Sequence, residues 1–154
     1  MLQIGRPAPG FSLPDADMEM VRLSEFKGKN VALYFYPKDD TPGCTIEALE
    51  FSDLEDEFAR LDTVVLGVSR DDCLSHASFR DKHGITVRLL ADAEGDVCRK
   101  YGVWQEKEKD GVKKMGIVRS TFIIDKQGIL RHALNSVNFR GHAAEVMNLV
   151  KELE

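Results

Sequence analysis

The chain has 154 residues, 43% of them hydrophobic and 31% charged, and Lys+Arg 21 against Asp+Glu 26 leaves a net charge of −5. A chain of this length buries roughly two thirds of its unfolded surface, and this composition excludes a disordered or fibrous protein. A pI near 5.4 without a basic cluster removes the phosphate attraction on which nucleic-acid binding depends.

No repeat, low-complexity tract or linker-like run interrupts the chain, so residues 1–154 are read as one domain. The N-terminal run MLQIGRPAPG places Pro7, Pro9, Gly5 and Gly10 where a signal peptide needs an apolar centre, and the expected location is the cytoplasm. Pro7, Pro9 and Pro14, followed by Val21-Arg22-Leu23, suggest an N-terminal ribbon laid on the domain. Val31–Tyr36 (VALYFY) is the longest apolar stretch, far short of the ~20 residues a membrane helix requires.

That run and Thr63–Val68 (TVVLGV) are β-branched or aromatic and bounded by turn residues, the pattern of buried strands. Between them Ile46, Leu49, Leu54, Phe58 and Leu61 recur at helical spacing, which predicts one helix from Thr41 to about Arg60. A helix near Asp71–Lys82, a strand at Val87–Leu90 and a short helix near Asp96–Tyr101 follow. Strands at Ser120–Ile124 and Ile129–Ala133 flank the turn chemistry of Asp125-Lys126-Gln127-Gly128, and a closing helix covers about His142–Leu153. The class is α/β, a central mixed sheet with helices on both faces.

The chemistry concentrates in YFYPKDDTPGCTIEALEF, Tyr34 to Phe51, where a buried strand gives way to a helix. Thr41 suits the N-cap, Pro42 the first helical position, and Gly43 adds no side chain, which puts Cys44 third in the helix. There its sulfur faces free N–H groups and the positive end of the helix dipole, which favour a thiolate over a thiol. The alternative is a small core cysteine. Position −3 holds Thr41, not a second cysteine, so a resident C-x-x-C redox disulfide is excluded at this turn.

Pro37-x-x-x-Thr41-x-x-Cys44 resembles the P-x-x-x-T-x-x-C signature of peroxiredoxins. GVSRDD, DVCRKYGVW and VRSTFIID extend the likeness over nearly the whole chain, toward the bacterioferritin-comigratory (Q-type) subfamily. The resemblance implies a thioredoxin-like fold and thiol-dependent reduction of hydrogen peroxide and organic hydroperoxides, with no cofactor and no metal. It makes Cys44 the peroxidatic cysteine, oxidised to a sulfenic acid. Thr41 then sets its hydroxyl between thiolate and peroxide, Pro37 shields the pocket, and the N–H groups of Gly43 and Cys44 hold the oxygens in line. Arg119 matches the family arginine that stabilises the thiolate and the transition state; spacing alone does not prefer it to Arg70 or Arg140. Glu47 matches a glutamate that orients this arginine, and reads equally as an exposed helix charge.

The chain departs from the subfamily at its resolving thiols. Five residues past Cys44 stands Leu49, and the match to S-H-x-x-F-C puts Arg80 at the other place. Cys98 reads as a buried inert thiol, and Cys73, at a polar helix start, as an accessible one with some pKa lowering or as a neutral surface residue. The expected mechanism is single-cysteine catalysis by a monomer, with thioredoxin, glutaredoxin or a small thiol as external reductant; an internal disulfide from Cys44 to Cys73 or Cys98 is the alternative. Cys73-x-x-His76 with His83 nearby has ligand-like spacing but too few partners for structural zinc. The four histidines, His76, His83, His132 and His142, fit surface or core roles. A thiol redox sensor on the same fold is the remaining rival. No G-x-x-x-x-G-K-[ST] run supports nucleotide chemistry.

Overall fold

Every residue of the run Asn30–Phe35 is buried, and that run forms β3, the middle strand of a five-stranded sheet. A computed structural model of the chain describes residues 2–153. On one side β3 pairs in parallel with β4 (Thr63–Ser69), which pairs in parallel with β5 (Arg88–Ala91). On the other it pairs antiparallel with β8 (Ser120–Ile124), and β8 with β9 (Leu130–Leu134), which makes the sheet mixed. β8 and β9 are the expected hairpin around Asp125-Lys126-Gln127-Gly128, with Gly128 at φ 81, a conformation that costs glycine least.

The alternation of side chains along β3 divides the core. Val31, Leu33 and Phe35 point to one face, and Ala32, Tyr34 and Tyr36 to the other. The second face is covered by α1 (Pro42–Asp53), α2 (Glu55–Arg60), α3 (Cys73–His83) and α5 (His142–Lys151), through Ala48, Phe51, Phe58, Phe79 and Val146. The first face receives α4 (Asp96–Lys100) through Val97 and Cys98, and the N-terminal segment through Phe11, Leu13 and Val21. Helices thus occupy both faces, but unequally.

The expected ribbon is present as β1 (Ser12–Pro14) paired with β2 (Met20–Arg22). It is tied down by a bridge from Asp15 to Leu90 and by the Tyr101 hydroxyl, which donates to the Pro9 carbonyl at 2.6 Å.

Two expectations need correction. The single helix from Thr41 to Arg60 is two helices, because Leu54 (ψ 1°) leaves the helical path and closes α1. The acidic Glu55, Asp56 and Glu57 then occupy the first turn of α2, where the new helix dipole favours them. The pattern predicts no strand between Tyr101 and Ser120, where the structure has a hairpin of β6 (Trp104–Lys109) and β7 (Val112–Ile117), joined at Asp110-Gly111, both at positive φ. Its strands are mostly exposed and highly charged, so they carry no apolar alternation; the two-residue Asp-Gly turn was the signal available. Among the described residues no helix is long and apolar enough to cross a membrane.

Candidate active site

The strand-to-helix turn after β3 follows the expected frame, with Thr41 at the N-cap of α1, Pro42 first, Gly43 second and Cys44 third. The first backbone bond of the helix runs from the Thr45 N–H to the Thr41 carbonyl at 2.9 Å, so the N–H groups of Gly43 and Cys44 precede the intrahelical ladder. Thr41 holds the cap position without capping: its hydroxyl turns back and donates to the Lys38 carbonyl at 2.9 Å. That bond commits the hydroxyl proton and leaves the oxygen lone pairs available. Pro37 is exposed at the end of β3, and Cys44 is 2% exposed.

The sheet register brings the arginine. Phe35, the last residue of β3, pairs with Ser120, the first of β8, so Arg119 arrives beside the turn that leads to Cys44. Its Nη2 donates to Cys44 Sγ at 3.3 Å and its Nη1 to Glu47 Oε1 at 2.6 Å. Neither Arg70, which sits over Trp104, nor Arg140, which sits over Phe139, bonds to the sulfur. Burial opposes the charge on Arg119, and Glu47 and Cys44 together more than offset it, raising its pKa.

Glu47 is not the exposed helix charge of the alternative reading but 0% exposed. One turn after Cys44, it faces the core with its neighbour Ala48. Burial pushes its carboxyl up to about 7, and the attraction of Arg119 only partly counters this; Oε2 has no hydrogen-bond partner. A carboxylate so placed holds the guanidinium in one plane and is itself costly to keep ionised.

A wall closes over these groups from the loop between β9 and α5. The Val137 N–H donates to the Arg119 carbonyl at 3.0 Å, and the Gly141 N–H to Glu50 Oε1 at 2.8 Å. Between these ties the Phe139 ring lies on Gly43, where a Cβ would come within 2.7 Å of it, and 5.6 Å from the Arg119 guanidinium. Sequence reasoning missed Phe139, because no local pattern shows which loop returns to Gly43. Gly43 is accordingly more than a residue without a side chain: its missing Cβ is what admits this ring.

The other two cysteines bond to none of Cys44, Arg119 and Glu47 among the described residues. Cys98 is fully buried, and burial followed by the neighbouring Asp92 carboxylate pushes its thiol far up, as an inert core thiol should be. Cys73 opens α3 as expected, but its pKa is raised, not lowered. Partial burial raises it, the negative charges of Asp72 and Asp15 add to that, and a backbone hydrogen bond only partly counters them.

The ligand-like Cys73–His76 spacing dissolves as well, since buried His76 bonds to Asp39 at 2.7 Å and His83 to Asp40 at 2.7 Å. Asp39, Asp71 and His76 do bring three ligand-type atoms within 4.8 Å of one another, each already engaged in hydrogen bonds. His142 is buried against Thr121, its Nε2 2.7 Å from the hydroxyl, and burial lowers its pKa. His132 is half-buried on β9.

Residues 4–133 match the model of the AhpC/TSA family. The chain belongs to this family. It is 44% identical over 146 residues to a putative peroxiredoxin bcp of Coxiella burnetii, covering 95% of this chain and 97% of that one. To peroxiredoxin Bcp of Bacillus subtilis it is 43% identical over 152 residues, 99% of this chain and 97% of the relative.

Among solved structures, a cysteine-to-serine mutant of Xylella fastidiosa PrxQ superposes with a TM-score of 0.94 at 37% identity, covering 99% of this chain and 98% of that one. The Xanthomonas campestris bacterioferritin comigratory protein, studied for alkyl peroxide reduction, gives a TM-score of 0.88 at 36% identity over 93% and 91% of the chains. The chain therefore has the thioredoxin-like fold of a peroxiredoxin, and as a peroxiredoxin it is a thiol-dependent peroxidase.

Proposed function

We propose that Cys44 is the peroxidatic cysteine, that it reduces hydrogen peroxide and organic hydroperoxides, and that an external thiol restores it. The observation that carries this reading is the Arg119 guanidinium shared between Cys44 Sγ at 3.3 Å and Glu47 Oε1 at 2.6 Å. A fixed positive charge on the sulfur stabilises the thiolate and, as the reaction proceeds, the negative charge that passes to oxygen.

The sulfur attacks one peroxide oxygen and the O–O bond breaks. The departing alkoxide or hydroxide takes a proton to become alcohol or water, and Cys44 is left as sulfenic acid. Thr41, whose proton is committed to Lys38, accepts a hydrogen bond from the peroxide hydroxyl. The free N–H groups of Gly43 and Cys44 donate to the peroxide oxygens, and Arg119 keeps the developing charge within reach. Pro37, at the exposed rim, screens the thiolate from bulk water.

Resolution falls to a second molecule, with thioredoxin, glutaredoxin or a small thiol as the reductant class. Cys98 is buried on the opposite face of the sheet from Cys44, and burial with acidic neighbours raises the thiol pKa of both Cys98 and Cys73. A thiol with so little thiolate is a slow attacker of a sulfenic acid. The form proposed is a monomer in the cytoplasm, a reducing compartment in which the three cysteines stay as thiols.

The test is rapid mixing of fully reduced protein with one equivalent of hydrogen peroxide or cumene hydroperoxide, trapping with dimedone, and peptide mapping without reductant. The expected result is a dimedone adduct on Cys44, formed far faster than on a free thiol, and multiple turnovers once dithiothreitol or thioredoxin is present. Oxidation no faster than that of a free thiol refutes the assignment of Cys44, a Cys44–Cys73 or Cys44–Cys98 disulfide refutes external resolution, and a single turnover favours a sensor.

A further inference from the structure

The turn that carries Thr41 is gripped from behind by α3, and no step of the reaction above uses that grip. Asp39 lies in the middle of the turn with its side chain 4% exposed, and His76, on α3, is 0% exposed. His76 Nδ1 is 2.7 Å from Asp39 Oδ2, and Ser75 Oγ donates to the same oxygen at 2.8 Å. Tyr36, at the end of β3, donates its hydroxyl to Asp39 Oδ1 at 2.6 Å and lies 3.4 Å from His76 Nδ1. The other ring nitrogen, Nε2, is 2.9 Å from the Leu90 carbonyl. A carbonyl only accepts, so Nε2 donates to Leu90, and the contact from Nδ1 to Asp39 Oδ2 holds a second proton between ring and carboxyl, which leaves both ring nitrogens and both carboxyl oxygens satisfied.

The next residue repeats the pattern. Asp40 stands at φ 59, a left-handed conformation that few residues other than glycine adopt, and its carboxylate is held by Lys82 Nζ and His83 Nε2, each at 2.7 Å. Four side chains of one helix therefore hold two consecutive residues of the turn.

The link to the chemistry runs through one peptide plane. The Asp39 N–H donates to Asp71 Oδ2 at 2.8 Å, and the carbonyl of that same peptide unit, Lys38 C=O, accepts the Thr41 hydroxyl at 2.9 Å. Because the peptide is planar, a rotation that frees the N–H also swings the carbonyl. The Thr41 hydroxyl then loses its fixed acceptor and its lone pairs lose their aim.

We propose that His76 is a positioning residue for the peroxidase reaction: through Asp39 it fixes the Lys38–Asp39 peptide, whose carbonyl orients the Thr41 hydroxyl toward the peroxide. This rests on the assignment of Cys44 and Thr41 made above. His76 touches no reacting atom, so its loss slows the reaction with peroxide without changing the nucleophilicity of the sulfur.

The experiment compares the parent, His76→Phe, Thr41→Val and the double variant. Each is checked by circular dichroism to be folded at the assay temperature, and for each two rates on Cys44 are measured. Oxidation by hydrogen peroxide reads the geometry of the site, and alkylation by iodoacetamide reads the thiolate alone. The expected result for His76→Phe is peroxide oxidation slowed at least fivefold, alkylation within twofold of the parent, and no further slowing when Thr41→Val is already present.

A fall below fivefold, a parallel fall in alkylation, or additive effects of the two substitutions overturns the proposal. If His76→Phe does not fold, Ser75→Ala decides, with a threefold slowing of oxidation at unchanged alkylation as the supporting result and unchanged oxidation as the overturning one. A parent Cys44 that peroxide oxidises no faster than a free thiol instead overturns the assignment of Cys44, and this proposal with it.

Discussion

Glu47 anchors the arginine that the proposed reaction uses and destabilises the fold that holds it, and Glu47→Gln separates the two effects. Its carboxyl titrates at about 7 in the folded protein against 4.5 as the unperturbed value, because it is buried at 0% exposure with Oε2 unpartnered. A tenfold difference in proton affinity is worth ~1.4 kcal/mol, so ionising this group costs the fold about 3 kcal/mol.

The sign follows from proton counts. Below pH 4.5 both folded and unfolded chains hold the proton, and the group's contribution to stability is fully present. Between 4.5 and about 7 the unfolded chain releases its proton while the folded chain keeps it, so stability falls as pH rises and levels off above that window. A glutamine side chain at this position has no such proton. Its amide oxygen can still accept from Arg119, but it pulls less strongly than a carboxylate.

The assay is urea denaturation under reducing conditions at half-unit steps from pH 4 to 8, on parent and variant. The difference in unfolding free energy between them is expected to move by about 3 kcal/mol in favour of the variant across that range. Cys44 oxidation in the variant is expected to slow about tenfold at pH 8, where the parent carboxylate is charged, because Arg119 loses that charged anchor. Parallel stability curves for the two proteins would refute the reasoning, since they would mean that the buried carboxyl is no harder to ionise than a solvated one.

Three further outcomes can be checked with the same assays. Arg119→Ala should slow Cys44 oxidation by about a hundredfold in stopped-flow fluorescence, the scale on which single transition-state donors act; it should also destabilise the fold by about 3 kcal/mol at pH 8 and by less at pH 5, where Glu47 is neutral. Gly43→Ala pushes a methyl to within 2.7 Å of the Phe139 ring; a loss of about 1–3 kcal/mol, read as a melting-temperature fall of roughly 2–10 °C, is expected, whereas an unchanged melt would show that the ring moves freely. Cys73→Ser should leave steady-state turnover with dithiothreitol within twofold of the parent, and a larger loss would return Cys73 to the reaction.

Much of the site was legible because it is local. Thr41, Pro42, Gly43 and Cys44 occupy consecutive positions at a helix start, and the capping preferences and missing N–H acceptors that define such a start depend only on neighbours in the chain. The strands were legible for a similar reason, since a central strand buried on both faces must be apolar throughout, as Asn30–Phe35 nearly is. The hairpin of Trp104–Lys109 and Val112–Ile117 was not, because strands that bury little carry no hydrophobic period to read.

What the sequence by itself determined is the helix-start turn around Cys44, the α/β class and, through the P-x-x-x-T-x-x-C resemblance, the family and the choice of Arg119 as a candidate. The tertiary structure decided which charges meet. The antiparallel register of β3 and β8 sets Arg119 against a sulfur 75 residues away, and packing turns Glu47 into a buried anchor. The same packing sets Cys73 among acids and seats His76 on Asp39, 37 residues apart in the chain. Local propensities act over a few residues, whereas burial and Coulomb interactions depend on distances in space that only the folded sheet establishes.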